Sequence, residues 1–310
     1  MASGTGFSSD ILELTDNLVD VIFNRELVRP IKTYYPEICI EKTLSTPTGT
    51  YQQLGGLTPA AVKPEGDNIP RDSIVDSYQT QITVQTIAKG VQATYEKLAD
   101  DQYGVVNRIF GAPLIKTLTV YKEQAIADLY NHAFATTGAD GEYQIDSDHP
   151  LENSTKTNNN LATGVLSVDN LKSAYNKFNF IYDAAGNFFG STPTHLLVHP
   201  NKMFTIVELL ESNLLAHELS NTKNSLMDMR IKPIMNPYLD YNTSTDGSPW
   251  FLLDKTLEAG AVLQKQKGIE TRRWVDEDSV TYCMNAIERY GQGIVAPGYG
   301  IVGSLGGYTA

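Results

Sequence analysis

Apolar residues recur along this chain in several distinct rhythms. Ile11, Leu14, Leu18, Val21 and Ile22 share one helical face, with Asp10 placed to cap it. Past Phe23 the rhythm loosens into Arg29-Pro30 and Tyr34-Tyr35-Pro36. That predicts an extended segment, because proline disfavours helical backbone in the residue before it. Residues 1–36 therefore read as an arm with little to pack against within itself. Two β-like runs follow, over 37–45 and 78–88; in the second, Ile82 and Val84 fall on one face and Thr83 and Gln85 on the other. Between them, residues 46–76 carry Gly49, Gly55, Gly56, Pro59, Pro64, Gly66 and Pro70. An irregular stretch of that length is uncommon inside a compact domain. A long hairpin that projects from the body and folds against a neighbour fits it.

The strongest helical pattern starts at Leu114 and runs through Leu118, Tyr121, Ala125, Leu129 and Ala133, widened by Ile115, Ile126, Tyr130 and Phe134. Pro113 suits a first turn, and Gly138 lies beyond the end. Val105, Val106, Ile109 and Phe110 suggest an earlier part of the same helix, bent near Gly111 and Pro113. A polar stretch over 136–160, closing in Asn158-Asn159-Asn160, reads as a domain boundary. Beyond it, Ser167 can cap a helix carrying Leu171, Ala174, Tyr175, Phe178 and Tyr182. A buried strand is predicted over 194–199, and a helix over 201–211 with Met203, Ile206, Val207 and Leu210 inward. Short strands are predicted over 231–235 and 250–253. Alternation returns over 261–302, broken by Gly291, Gly293, Pro297-Gly298 and Gly300, as in antiparallel strands closing a sheet. No internal repeat is visible.

Composition narrows the function. A chain of 310 residues with 41% hydrophobic content can build one large domain or two interleaved ones. It carries 24 basic against 36 acidic residues, a net charge of −12. Gripping nucleic acid needs a basic surface, so that role is disfavoured. Enclosing nucleic acid is not, since an acidic wall repels packed DNA rather than binding it. Cys39 and Cys283 lie far apart with no CxxC, and read as two half-buried free thiols. Residues 1–10 lack a signal-peptide pattern, and no stretch approaches the ~18 apolar residues of a membrane span. The expectation is a soluble, unsecreted chain.

The candidate chemistry is thin. His195 and His199 have the spacing of a helical zinc pair, but the run between them reads as a strand and the zincin glutamate is absent. On a strand, two rings four residues apart stand about 13 Å from each other, too far to share a metal. The segment Asp140-Gly-Glu-Tyr-Gln-Ile-Asp-Ser-Asp-His149 gathers carboxylates but lacks the glycine and terminal glutamate of a calcium loop, so a solvated polar turn is expected. Gly298-Tyr-Gly300-Ile-Val-Gly303 is not a phosphate loop. Asp100-Asp101 and Asp276-Glu277-Asp278 read as exposed acidic faces. We assign no catalytic, cofactor-binding or metal-ligating residue. A metal-dependent hydrolase using His195, His199 and Asp148 is the alternative from a different class.

An arm, a long hairpin loop, one long helix, a mixed α/β region and a closing sheet, in that order, resemble the HK97-type α+β fold of tailed-phage major capsid proteins. Thr163-Gly-Val-Leu-Ser-Val-Asp-Asn-Leu171, His195-Leu-Leu-Val-His-Pro200, Pro249-Trp-Phe-Leu-Leu253 and Glu288-Arg-Tyr-Gly291 resemble the Mu-like major head subunit family. The resemblance implies an N-terminal arm over 1–36 and an extended loop over 37–90. It implies a peripheral domain with its spine helix over 91–160, an axial domain over 161–265, and a return to the peripheral domain over 266–310. It implies a virion protein, assembled in the host cytoplasm into pentamers and hexamers of an icosahedral shell that encloses double-stranded DNA. Implied partners are the chain itself, a portal and a scaffold, with a decoration protein left open. Met1 stands almost at the arm, so a separate scaffold protein is expected. Lys63 lies in the loop, but its surroundings give no ground for a covalent cross-link. An encapsulin-like compartment shell is the nearer alternative.

Overall fold

The computed structural model describes residues 31–54, 56–72, 76–100, 112–152, 154–212, 224, 226–241, 247–276 and 278–307. The helix predicted over the first 22 residues and the segment 101–110 lie outside these. The described chain forms two compact units, one from Thr86–Lys122 and Lys267–Arg289, the other from Tyr34–Gln85, Glu123–Gln266 and Tyr290–Ala310.

The larger unit is built on a sheet whose strand order is β12-β9-β7-β8, comprising β7 (His195–Val198), β8 (Lys232–Met235), β9 (Trp250–Leu253) and β12 (Ile301–Ser304). Strand β7 runs parallel to β8 and antiparallel to β9, in registers Leu197↔Ile234 and Leu197↔Phe251. All residues of β9 and β12 are buried. Covering on both faces explains why these strands read as unbroken apolar runs rather than alternating ones. Helix α4 (Val168–Asn179) supplies Leu171, Ala174 and Phe178 to the same core as Leu196, Trp250 and Val302. Ser167 caps it as expected, its side chain accepting from the Asn170 amide at 3.3 Å. Gly164 takes the left-handed conformation at φ 78°, and its carbonyl accepts from the Trp250 indole at 3.1 Å.

In the same unit, β2 (Thr48–Leu54) pairs antiparallel with β3 (Asp76–Thr83), and β1 (Ile40–Thr43) pairs parallel with the start of β10 (Gly260–Asp276). The two limbs do pair as a hairpin, but the first is a strand where the sequence predicts an irregular loop. Cross-strand pairing overrides the low intrinsic β-preference of Gly49 and its polar neighbours. Tyr34-Tyr35-Pro36 is a further correction. Instead of extended chain, a helical turn, α1, occupies Tyr35–Ile38, with Pro36 in its first turn, where a missing N–H costs nothing.

The smaller unit holds most of β4 (Gln85–Thr94), α2 (Tyr95–Ala99), the first half of α3 (Ala112–Asn131), and the distal ends of β10 and β11 (Thr281–Val295). Leu114 and Leu118 of α3 pack with Met284 and Ala286 of β11, flanked by Ile87 and Val91. Here β11 lies between β10 and β4. A connection as short as residues 277–280 joins neighbouring strands only when they are antiparallel.

Two burial predictions and one of topology are corrected. Along α3, Tyr121 and Ile115 face outward, while Lys122 and Glu123 are buried; a hydropathy pattern cannot foresee that two charged residues find buried partners. The helix α5 (Met203–Leu210) buries Ile206, Leu209 and Leu210 but exposes Met203 and Val207, which were expected inward. Nearly every position of this helix is apolar, so periodicity alone cannot choose its face. Finally, the C-terminal alternation does not close a single sheet. Ala296 takes a left-handed conformation, a helical turn α6 (Pro297–Gly300) follows, and β12 joins the other sheet.

Candidate functional site

The residues that suggested chemistry are tied into local structure. The side chain of His195 pairs with the Thr194 hydroxyl at 2.8 Å, at the start of β7. His199 caps the next turn, its Nδ1 accepting from the Asn201 amide at 3.2 Å, and its ring stacks on Tyr241 at 4.9 Å. Burial holds both imidazoles below their ordinary pKa; for His195 the ammonium groups of Lys255 and Lys232 add to the effect. Asp148 is exposed. Among the described residues, no three His, Cys, Asp or Glu side chains gather as a metal ion would require. Cys39 is fully buried rather than half-buried, its thiol pushed up to about 12 by burial, so it is a poor nucleophile.

The segment 140–149 is a solvated turn only in part: Gly141, Glu142, Tyr143, Ser147 and Asp148 are exposed, while Gln144, Ile145 and His149 are buried. His149 is buried, with Nδ1 2.6 Å from Asp140 Oδ2 and Nε2 3.1 Å from Asn160 Oδ1. The Asn160 amide nitrogen donates to the carbonyls of Gln144 and Pro297, and its oxygen accepts from the Asp146 amide at 2.8 Å. One asparagine thus ties three stretches of chain together. The adjoining cavity holds about 20 Å³, room for water but not for a substrate. A shallower hollow of about 420 Å³ is bordered by Lys42, Tyr51, Asp183, Glu258 and Tyr299. Its charged groups already have partners: Lys42 with Glu258 at 2.7 Å, and Asp183 with the Asn187 amide at 2.8 Å.

Two further buried charges escaped the sequence reading. Lys122 of α3 pairs with Glu288 of β11, both side chains about nineteen-twentieths buried. Glu288 opens the Glu288-Arg-Tyr-Gly291 motif, and Gly291 closes it for a steric reason: a Cβ there would stand 2.6 Å from the Thr83 carbonyl. These residues hold strands and helix in register.

What remains is surface. In the hairpin, Leu57, Val62 and Ile69 are 63%, 93% and 67% exposed. The Asp72 carboxylate ties the two ends of the loop together, accepting from the Thr58 amide and hydroxyl at 2.6 and 2.8 Å, and the Leu57 carbonyl accepts from the Asn187 side-chain amide at 2.9 Å. On α5, Phe204 is 79% exposed beside Met203 and Val207. Phe180 and Phe188, 6.4 Å apart, are also exposed. Apolar groups presented this way mark contact surfaces rather than a reaction centre.

Comparison with known proteins agrees. A family model described as phage capsid protein matches residues 77–298. No curated protein matches the chain. Among solved structures, the capsid of cyanophage P-SCSP1u aligns with TM-score 0.60 at 10% identity over 89% of this chain and 90% of its own. The cyanophage Pam1 capsid gives 0.60 at 14% identity over 90% and 95%. The mature capsid of bacteriophage PhiM1 gives 0.59 at 8% over 91% and 89%. At these identities the likeness fixes the fold, and it is the α+β fold of phage capsids. With the family model spanning more than half of its length, the chain belongs to the phage capsid protein family, as a major capsid protein.

Proposed function

We propose that this chain is the repeating subunit of a closed icosahedral shell, assembling with copies of itself into pentamers and hexamers around double-stranded DNA. The observation that carries this reading is the contrast between a buried core and an apolar hairpin whose Leu57, Val62 and Ile69 are left largely exposed by the described residues. Shell subunits meet through large, obligate interfaces, commonly 2,000 Å² or more. Rings that close around an axis need two different surfaces on one chain. The hairpin and the outer face of α5 are two such surfaces, on separate elements. The net charge of −12 suits a wall that encloses DNA without binding its sequence.

On this reading residues 1–36 are the arm, 37–90 the extended loop, 91–160 the peripheral domain with its spine helix, 161–265 the axial domain and 266–310 the return. The place of action is the virion, after assembly in the host cytoplasm. A portal and a scaffold protein are the further partners. The role is structural, with no catalytic residue. Electron microscopy and sedimentation of the purified full chain test it. Uniform hollow particles or ring-shaped capsomers are expected; a stable monomer at high concentration under assembly conditions would overturn the proposal.

A further inference from the structure

The short stretch where the described chain enters the larger unit is held by an unusual concentration of polar ties. The carboxylate of Glu123, on α3 and fully buried, accepts from the Tyr34 amide at 2.8 Å and from the Tyr35 amide at 3.2 Å. The buried hydroxyl of Tyr130, two turns further along the same helix, donates to the Ile38 carbonyl. Lys255 donates to the Pro36 carbonyl, Lys232 pairs with Glu37 at 2.8 Å, and the Lys265 ammonium stands 5.5 Å over the Tyr35 ring. The apolar anchors of the stretch are only Ile38 and Cys39.

These ties are not equal. The Lys232–Glu37 pair is half-exposed, so water and salt screen it. Glu123 and Tyr130 are out of water altogether. A buried carboxylate persists only where donors meet it, and hydrogen bonds to an ionised acceptor are the strong ones. Here the donors are two successive backbone amides, so the carboxylate fixes the backbone itself at Tyr34 and Tyr35 and with it the line on which the chain joins the body.

We infer that Glu123, backed by Tyr130, is a latch that holds residues 34–39 in one orientation and so sets the direction in which the preceding segment meets a second copy of this chain. The direction of reach rests on the shell reading; the latch itself does not. In a shell of pentamers and hexamers the surroundings of the copies differ, and a root held by buried groups gives each arm the same starting line in a way that screened surface lysines cannot.

The test compares the full chain with Glu123→Gln and Tyr130→Phe. The first replaces a carboxylate oxygen by an amide that turns a donor toward a donor. The second removes one hydroxyl and leaves the ring against Phe251, 5.3 Å away, so it keeps the fold if the first does not. Hydrogen exchange over 34–39 should rise roughly tenfold or more in Glu123→Gln and less in Tyr130→Phe, with β7 and β9 unchanged. Particles from either variant should be less uniform in size than those of the unaltered chain. Unchanged exchange over 34–39 in both variants, or particles as uniform as before despite a loosened root, would overturn the latch. Absence of particles from the unaltered chain would instead overturn the shell reading, while the exchange data still judge the latch.

Discussion

The β9 strand and the β2–β3 hairpin come from one chain and solve opposite problems. Every side chain of Trp250–Leu253 is buried, and both edges of the strand are paired, by β7 on one side and β12 on the other. The hairpin ladder is likewise paired, but in its loop Leu57, Val62 and Ile69 stay largely exposed among the described residues. Fully burying a side chain of that size stabilises by about 1.5–3 kcal/mol, and the described residues leave the loop most of that gain unused. The first region stabilises the subunit; the second is free to stabilise an assembly. Mutations should separate the two.

The largest expected effect lies in the self-sufficient region. Trp250→Ala removes a ring that is 1% exposed and should cost about 3–5 kcal/mol, read as a lower denaturation midpoint of the unassembled subunit. Glu288→Gln follows. It takes away the carboxylate charge that faces the buried Lys122 ammonium and should cost up to ~3–5 kcal/mol, of which the double change Lys122→Met with Glu288→Leu should recover most. A cost that persists in the double variant would mean that the pair matters through shape rather than charge.

An acid titration comes next. His195 and His199 titrate below their ordinary pKa in the folded chain, so below that ordinary value the unfolded chain takes up more protons. Stability then rises with pH across that window, and it should fall as pH drops from about 6.5 toward the lower folded values. His195→Gln with His199→Gln should flatten this part of the profile. At lower pH a second loss begins. Lys232 holds the Glu37 carboxyl low through a hydrogen bond. At Asp254 burial works upward but is outweighed by hydrogen bonds from Ser191 and Thr256. Both contributions disappear as pH falls through the folded pKa values.

The smallest effects on the subunit, and the most telling, belong to the exposed apolar residues of the hairpin and of α5. Val62→Ser and Phe204→Ser should shift subunit stability by no more than about 0.5 kcal/mol, since both side chains already face water. The same changes should reduce particle yield in a sedimentation assay.

The sequence made the fold legible wherever local pattern and burial agree. The strand at 250–253, the Ser167 cap and the long helix opening at Pro113 all appear as predicted, because unbroken apolar runs, an N-cap serine and an early proline each have one inexpensive solution. It failed where distant partners decide. Nothing near Lys122 announces Glu288, 166 residues away, and nothing near His149 announces that its ring will be held between Asp140 and Asn160. Helix α5 failed for the reverse reason: with apolar residues all around, its outward face is set by what the helix lies against. The exposed hairpin was legible from its glycines and prolines, though not that its first limb is a strand.

Hydrogen exchange of residues 56–72 in the free subunit and in purified particles tests the central claim most directly. The account predicts rapid exchange in the subunit and strong protection in the particle, as a neighbouring copy covers Leu57, Val62 and Ile69. Equal exchange rates in the two states would contradict it.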